Sequence, residues 1–228
     1  MLKPVSGIFL SMVAIAGCST GDTGQTPAAA AVSPSPGTLT SADTAKLRAA
    51  LLPVPKGMHV AYGPELGAFG SLKSTQQGLA AVRKAKLQRP ECAGAAQLDA
   101  AKPEVAQAPA AVIAFAADRG SITQAVVSMP NAAFPEPLSK QCASYTATVE
   151  GTQVSYKTRT LAMPARGDQS RAYLTTAAGN QKNAQIGSVM IRRGTMIMSM
   201  LVVGRRVKPE GLYELARLAD QNLARAAR

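Results

Sequence analysis

Few residues of this chain are suited to covalent or metal chemistry: it has three cysteines and a single histidine, His59. A cysteine and a histidine can form a nucleophile and its base. However, Cys92 and Cys142 make an even pair, and in an exported chain such a pair predicts a disulfide. Two buried free thiols are the alternative. If the two sulfurs are bonded, no domain thiol is left to pair with His59, so the sequence does not predict a thiol nucleophile.

Other catalytic and ligand-binding motifs are missing as well. The sequence has no C-x₂-C or H-E-x-x-H spacing for a metal and no Walker loop for phosphates. Its carboxylates are scattered, and Asp118, Glu136 and Glu150 fall near predicted turns, where solvated roles are usual. The sequence therefore predicts a protein that is not an enzyme and holds no metal or other cofactor.

The third cysteine, Cys18, ends an apolar run from Val5 to Ala16 that follows Lys3. A helix needs about 20 residues to cross a bilayer, so this shorter run is typical of a secretory signal peptide. Ile15-Ala16-Gly17-Cys18 resembles the bacterial lipobox. The resemblance implies that residues 1–17 are removed and that Cys18 receives a diacylglyceryl group and further acyl chains such as palmitate. An ordinary signal peptide with an incidental cysteine is the alternative.

The lipobox resemblance implies a lipid anchor on the extracytoplasmic face of the cell membrane. Residues 18–40 then form a disordered tether, because a segment with no aromatic residue and almost no charge cannot bury enough apolar surface to fold. Residues 41–228 are enough for a single domain with its own core. They contain no further apolar segment long enough to cross a membrane.

The charge of the chain is strongly basic, with a formal net charge of +12, and its cations are spread along the sequence. Outside the cell this favours anionic lipid headgroups or wall polyanions over nucleic acid. Only 4% of the residues are aromatic and none is tryptophan, so stacking on single strands is not expected. A solvated basic surface without a specific role is the alternative.

The order of predicted elements indicates an α+β fold. Helices are predicted over 42–52, over 74–87, near Pro90, over 139–144 and from Pro209 to the end. Strands are predicted over 110–117, 121–129, 145–150, 153–163, 170–178, 184–192 and 195–203. Residues 53–70 and 102–109 are predicted to be irregular. Tight turns make consecutive strands antiparallel, so we expect one sheet of about six to seven strands with helices mainly on one face.

Methionines recur in the last predicted strand, TMIMSMLVVG, at 195–204. Met196, Met198 and Met200 share one side of this strand, and both sides are mostly apolar. A central strand buried on both faces explains this pattern. In the alternative, the methionine side lines an apolar ligand cleft, because flexible methionines suit adaptable binding surfaces.

The P-x-C and Q-C helical segments, the meander of strands and the C-terminal helix, together with the lipobox and tether, resemble mycobacterial sensor-domain lipoproteins. These are similar to the extracellular sensor domain of mycobacterial receptor Ser/Thr kinases. The resemblance implies an antiparallel sheet with helices on one side and a cleft for a ligand. The kinase-type sensor carries two disulfides, whereas this chain has domain cysteines for one, and no ligand-binding residues are carried over.

Three functions are compatible with these observations. The first is a lipid-anchored, non-enzymatic module that binds or senses a small amphiphile or an envelope protein. The second is a structural envelope protein that docks through its basic surface. The third is a hydrolase with an unrecognised site, which convergent buried carboxylates would indicate.

Overall fold

The computed structural model describes residues 39–94, 96–130, 133–180 and 182–228. The predicted signal peptide, the predicted lipidation site Cys18 and nearly all of the predicted tether lie outside these residues. In the described part of the chain, no helix is both long and apolar enough to cross a membrane.

Nine strands form one antiparallel sheet, which confirms the α+β class and exceeds the predicted number of strands. Their bounds are β1 His59–Ala68, β2 Lys86–Leu87, β3 Pro109–Ala117, β4 Gly120–Ser128, β5 Ser144–Val149, β6 Thr152–Thr160, β7 Gln169–Gly179, β8 Lys182–Arg193 and β9 Met196–Gly204. The order across the sheet is β1-β3-β4-β9-β8-β7-β6-β5-β2. The additional strands, β1 and β2, are the two edges.

The prediction that residues 53–70 are irregular is wrong, because β1 occupies more than half of that segment. Its register with β3 shifts on both sides of Tyr62, and Pro64 lies within the strand. Proline and register shifts are tolerated at a sheet edge, where one side of the backbone has no partner strand. These features remove the regular alternation by which a strand is recognised in a sequence.

Four helices accompany the sheet: α1 Ser41–Ala49, α2 Lys73–Lys84, α3 Pro103–Ala106 and α4 Pro209–Ala226. Short 3₁₀ turns lie at Phe69–Ser71, Pro90–Cys92 and Lys140–Ala143. The prediction of an irregular segment over 102–109 is corrected by α3. Proline starts both α3 and α4, because its fixed φ suits the first helical position and its missing N–H has no acceptor there.

The first face of the sheet carries α1 and α4, which close the larger core over the central strands. Leu47 of α1 and Leu212 and Leu223 of α4 are almost fully buried against this face. The close approach of α4 depends on Gly187 in β8, because a Cβ there would lie 2.9 Å from the Val207 side chain and 3.0 Å from that of Leu212.

Two buried amides fix the segment that follows α1. The Gln124 side chain of β4 is fully buried; its Oε1 accepts from Leu52 N at 2.7 Å, and its Nε2 donates to Ala50 O at 3.4 Å. From α4, Asn222 Nδ2 donates to Leu51 O at 2.6 Å. These bonds satisfy backbone groups at the end of α1 that have no partner inside the helix.

The second face carries a smaller core over only part of its area. Residues of β3, β4 and β9 on this face pack against Phe69, Leu72, Leu98, Val105, Met129 and Phe134 from the 3₁₀ turn, α3 and the neighbouring loops. Both cores are built from residues between Leu47 and Ala226, and the residues that the structure describes form one compact unit. This part of the chain therefore contains what an independently folding domain needs.

Cys92 and Cys142 form a disulfide with their Cα atoms 5.3 Å apart, which confirms the predicted pairing. Each cysteine lies in a 3₁₀ turn, one just after β2 and the other just before β5. Beside the bond, the Arg89 guanidinium donates to Gln141 O at 2.7 Å. Since β2 and β5 share only two residue pairs, the disulfide is a principal attachment of β2 to the sheet.

Candidate functional site

The part of the second face beyond the smaller core is not sealed by packing. Residues directly opposite each other on neighbouring strands lie on the same face, so the register identifies the side chains in this area. We define the open face as nine half-buried side chains of this area: Tyr62, Thr123, Leu201, Ile186, Thr175, Thr158, Ala177, Tyr156 and Tyr145. None is charged; six carry a hydroxyl group and three are aliphatic.

Helix α2 connects the two opposite edges of the sheet. In the chain it lies between β1 and β2, which are the two opposite edges. Nine strands at their usual spacing span roughly 38 Å, of which the helix itself, with 12 residues, covers about 18 Å. Because α1 and α4 occupy the first face, and Ser74 at the start of α2 contacts Glu65 and Tyr62 of the second face, we infer that α2 passes over the open face.

The side of α2 that is turned toward the protein is only partly buried. Thr75, Leu79 and Val82 are half-buried and share one side of the helix, whereas no residue of α2 is fully buried. Leu79 and Val82 pack against neither core. An amphipathic helix is normally held by burying its apolar stripe. In α2 that stripe is therefore only partly used for packing.

The start of α2 is fixed to the sheet by a carboxylate. Glu65, the single acidic residue on the nine strands, accepts from Ser74 N at 3.0 Å through its Oε2 and also accepts from the Ser74 hydroxyl. A negative charge at a helix N-terminus is favourable because unpaired backbone N–H groups point toward it. Glu65 therefore has a structural role, and its polar contacts are used for holding α2.

The hydroxyl of Tyr62 lies beside this attachment. Burial raises the pKa of Tyr62 above its ordinary value, hydrogen bonding with Thr123 lowers it in part, and the charge of Glu65 raises it. At the other end of the open face, Tyr145 and Tyr156 stack with their ring centroids 5.0 Å apart, and burial raises the pKa of both. All three hydroxyls therefore stay protonated at neutral pH.

A buried hydroxyl adjoins the open face. Ser188 of β8 is directly opposite Leu201 of β9 on one side and Tyr173 of β7 on the other. It is 3% exposed, and its Oγ has no hydrogen-bond partner among the described residues. Buried hydroxyls normally have a partner, because leaving one unpaired costs about 1–3 kcal/mol. The neighbouring Tyr173 hydroxyl, in contrast, accepts from Leu138 N at 3.2 Å.

The predicted methionine site lies elsewhere. Met196, Met198 and Met200 are on the first face, under α1 and α4, and are 5%, 0% and 0% exposed. Met196 borders a cavity of about 250 Å³ between α1 and the β8–β9 turn. The helices close this face over Met198 and Met200. The methionine cleft stays a prediction from the sequence, and the site described here is not built on it.

The structure therefore draws attention to a face that the sequence analysis did not single out. The stripe of Thr75, Leu79 and Val82 in α2 is visible in the sequence. It does not indicate, however, that Leu79 and Val82 belong to neither core. In the described ranges no group of three or more histidine, cysteine, aspartate or glutamate side chains is placed to hold a metal. The arrangement is suited to noncovalent binding by apolar contact and neutral hydrogen bonds.

The chain matches no protein-family model and no curated protein sequence. The solved structures that resemble it include the extracellular domain of PknH from Mycobacterium tuberculosis, with a TM-score of 0.53 and 12% sequence identity over 80% of this chain and 95% of that one. They also include an Rv0999 ortholog from Mycobacterium smegmatis, with a TM-score of 0.42 and 13% identity over 85% of this chain and 97% of the other.

The chain is thus an α+β domain with a single antiparallel sheet and an uncharged area on the second face of that sheet. The particular resemblance is to the extracellular domain of PknH, which confirms at the level of fold the likeness to mycobacterial sensor domains inferred from the sequence.

Proposed function

We propose that this chain is a lipid-anchored protein of the extracytoplasmic side of the cell membrane, whose domain binds a small, largely uncharged amphiphile between α2 and the open face. Cys18 holds the anchor and residues 18–40 form the tether. The domain has no catalytic role. It senses or carries its ligand, and a bound ligand changes how firmly α2 is held.

The main observation behind this proposal is that α2 crosses the sheet without entering either core. Leu79 and Val82 on the helix and Leu201 and Ile186 on the sheet offer apolar contact, while the neighbouring tyrosine and threonine hydroxyls offer hydrogen bonds. Ligand sites are typically apolar with a few polar groups that fix orientation. The unpartnered hydroxyl of Ser188 is a further group that a bound molecule can satisfy.

The binding site is tested by a Leu79→Ser variant of residues 35–228, titrated with the neutral apolar dye Nile red. Loss of a half-buried leucine from the ligand contact is expected to weaken binding roughly tenfold. The melting temperature should change little, because Leu79 belongs to neither core. Dye fluorescence and circular dichroism provide the two measurements.

Ala80→Ser is the matched control, since Ala80 is exposed on the same helix and the substitution introduces the same side chain. It should leave dye binding as in the parent protein. A Leu79→Ser variant that melts several degrees lower and binds the dye unchanged would show that α2 is simply packed on the sheet, and the proposal would fail.

The anchor is tested by Cys18→Ala in the full chain, expressed in a bacterium that processes lipoproteins. Two or more acyl chains give stable membrane attachment, at about 0.8 kcal/mol per buried CH₂. The variant is therefore expected to leave the detergent phase of a phase-partition experiment and to lack the acyl mass. A variant that partitions as the parent does and keeps the same N-terminus would contradict lipidation at Cys18.

A further inference from the structure

A cavity of about 420 Å³ lies at the end of the sheet where the β3–β4 turn meets the end of β9. It is bordered by the segment that precedes β1 and by the segment that joins β9 to α4. It reaches the second face at Ser121 and Val203 but lies mainly on the side of the first face. Its volume falls in the range of small-ligand sites.

Glycines on two neighbouring strands line this cavity. Gly120 of β4 and Gly204 of β9 are directly opposite each other, so neither strand projects a side chain there. A Cβ on Gly120 would lie 2.5 Å from Val203 O, and a Cβ on Gly204 would lie 3.3 Å from Arg119 O. The close approach of the backbones therefore requires glycine at Gly120 and favours it at Gly204.

The floor of the cavity is apolar. Ile122 and Val207 belong to the larger core and are 5% and 7% exposed, and Met58 and Val202 pack against the same core. An apolar chain placed on this floor would extend the contact surface of the core without disturbing it. The flexible Met58 side chain suits a ligand of variable shape.

The rim of the cavity is cationic. Arg119 and Arg206 are both exposed and both border the cavity. Their carbonyl oxygens lie 3.3 and 3.7 Å from the position of a Cβ on Gly204, so the backbones of the two arginines are close together beside this glycine. Neither forms an ion pair with any residue that the structure describes. His59 also borders the rim, and Asp118 is the one acidic lining residue.

We propose that this cavity binds a small amphiphilic anion, with its carboxylate or phosphate between Arg119 and Arg206 and its apolar chain on the floor next to Met58. Arginine pairs well with both headgroups, because its planar donors match their oxygens. The inference is independent of ligand binding at the open face, whose residues are uncharged.

The test uses residues 35–228 labelled with ¹⁵N and titrated with octanoate, with octyl phosphate, with inorganic phosphate and with 1-octanol. The two amphiphilic anions are expected to shift the amide signals of Gly120 and Gly204 in a saturable way, and the tighter of them identifies the headgroup. Inorganic phosphate lacks the chain and 1-octanol lacks the charge, so each should bind at least about tenfold more weakly. Raising the ionic strength should weaken binding of the anions.

Variants then test the assignment of the rim. Arg119→Gln and Arg206→Gln should each weaken anion binding about tenfold, whereas Asp118→Asn should strengthen it. Arg48→Gln, an exposed arginine on α1, is the control and should change nothing. The proposal is overturned if neither anion gives saturable shifts, if the rim variants bind as the parent does, or if the shifts occur at Thr175 and Tyr156 instead, which would place the ligand on the open face.

Discussion

Replacing Gln124 with alanine is expected to lower the free energy of unfolding by about 3 kcal/mol or more. The side chain is fully buried and holds Leu52 N and Ala50 O, so its removal leaves two backbone groups unpaired in the core. Each unpaired group costs about 1–3 kcal/mol, and the vacated volume adds a cavity term. Urea unfolding of residues 35–228 measures the loss.

Gln153→Ala provides the comparison, because Gln153 is an exposed glutamine on β6. Exposed substitutions of this kind usually change stability by less than about 0.5 kcal/mol. If the two variants lost the same amount, Gln124 would not be the connection between α1 and the sheet. We further expect Gln124→Ala and Asn222→Ala to be non-additive, because both amides hold the same segment at residues 50–52.

Met198→Ala is expected to cost about 2–5 kcal/mol, since this side chain is 0% exposed between the central strands and the helices of the first face. Leu201→Ala, three residues along the same strand, should cost clearly less, because Leu201 is half-buried on the open face. The comparison by urea unfolding therefore reports which face of β9 is closed.

The opposite ranking, with Leu201→Ala the more costly variant, would mean that α2 seals the open face and that the first face is the looser one. A ligand cleft lined by methionine, which the sequence left open, would then be the better interpretation. Equal and large losses would mean that both faces of β9 are core, with no room for a ligand under α2.

The elements of the central sheet could be predicted because their signals are local. β3 and β4 are apolar runs on either side of the turn Asp118-Arg119-Gly120, and the long helix α4 begins with a proline and carries a regular apolar stripe. The pairing of Cys92 with Cys142 was predicted from the even number of cysteines in the domain and from the expected export of the chain. For the strands and the helix, the decisive residues are close together in the chain. For the disulfide, two domain cysteines allow one pairing.

The edges of the sheet and the site depend on contacts between distant segments. β1 carries Gly63, Pro64 and Gly67, which indicate a loop when the partner strand β3 is not known. β2 has two residues and exists only through its pairing with β5. Likewise, the apolar stripe of α2 predicts a packed helix. Its position over the open face depends on β1 and β2 being the two opposite edges of the sheet, which the sequence does not indicate.

That crossing has a consequence for how the chain can be cut and rearranged. The segments before α2 are held by pairing of β1 with β3 and by the bonds from Gln124 and Asn222, and those after it by the disulfide and the rest of the sheet. A break within α2 removes no core residue from either part. Exposed segments of this kind are where new termini and insertions are best tolerated. Ala80 and Ala81 are exposed on the helical turn in the middle of α2. This turn is therefore the place to split the protein into two complementing fragments or to insert a reporter.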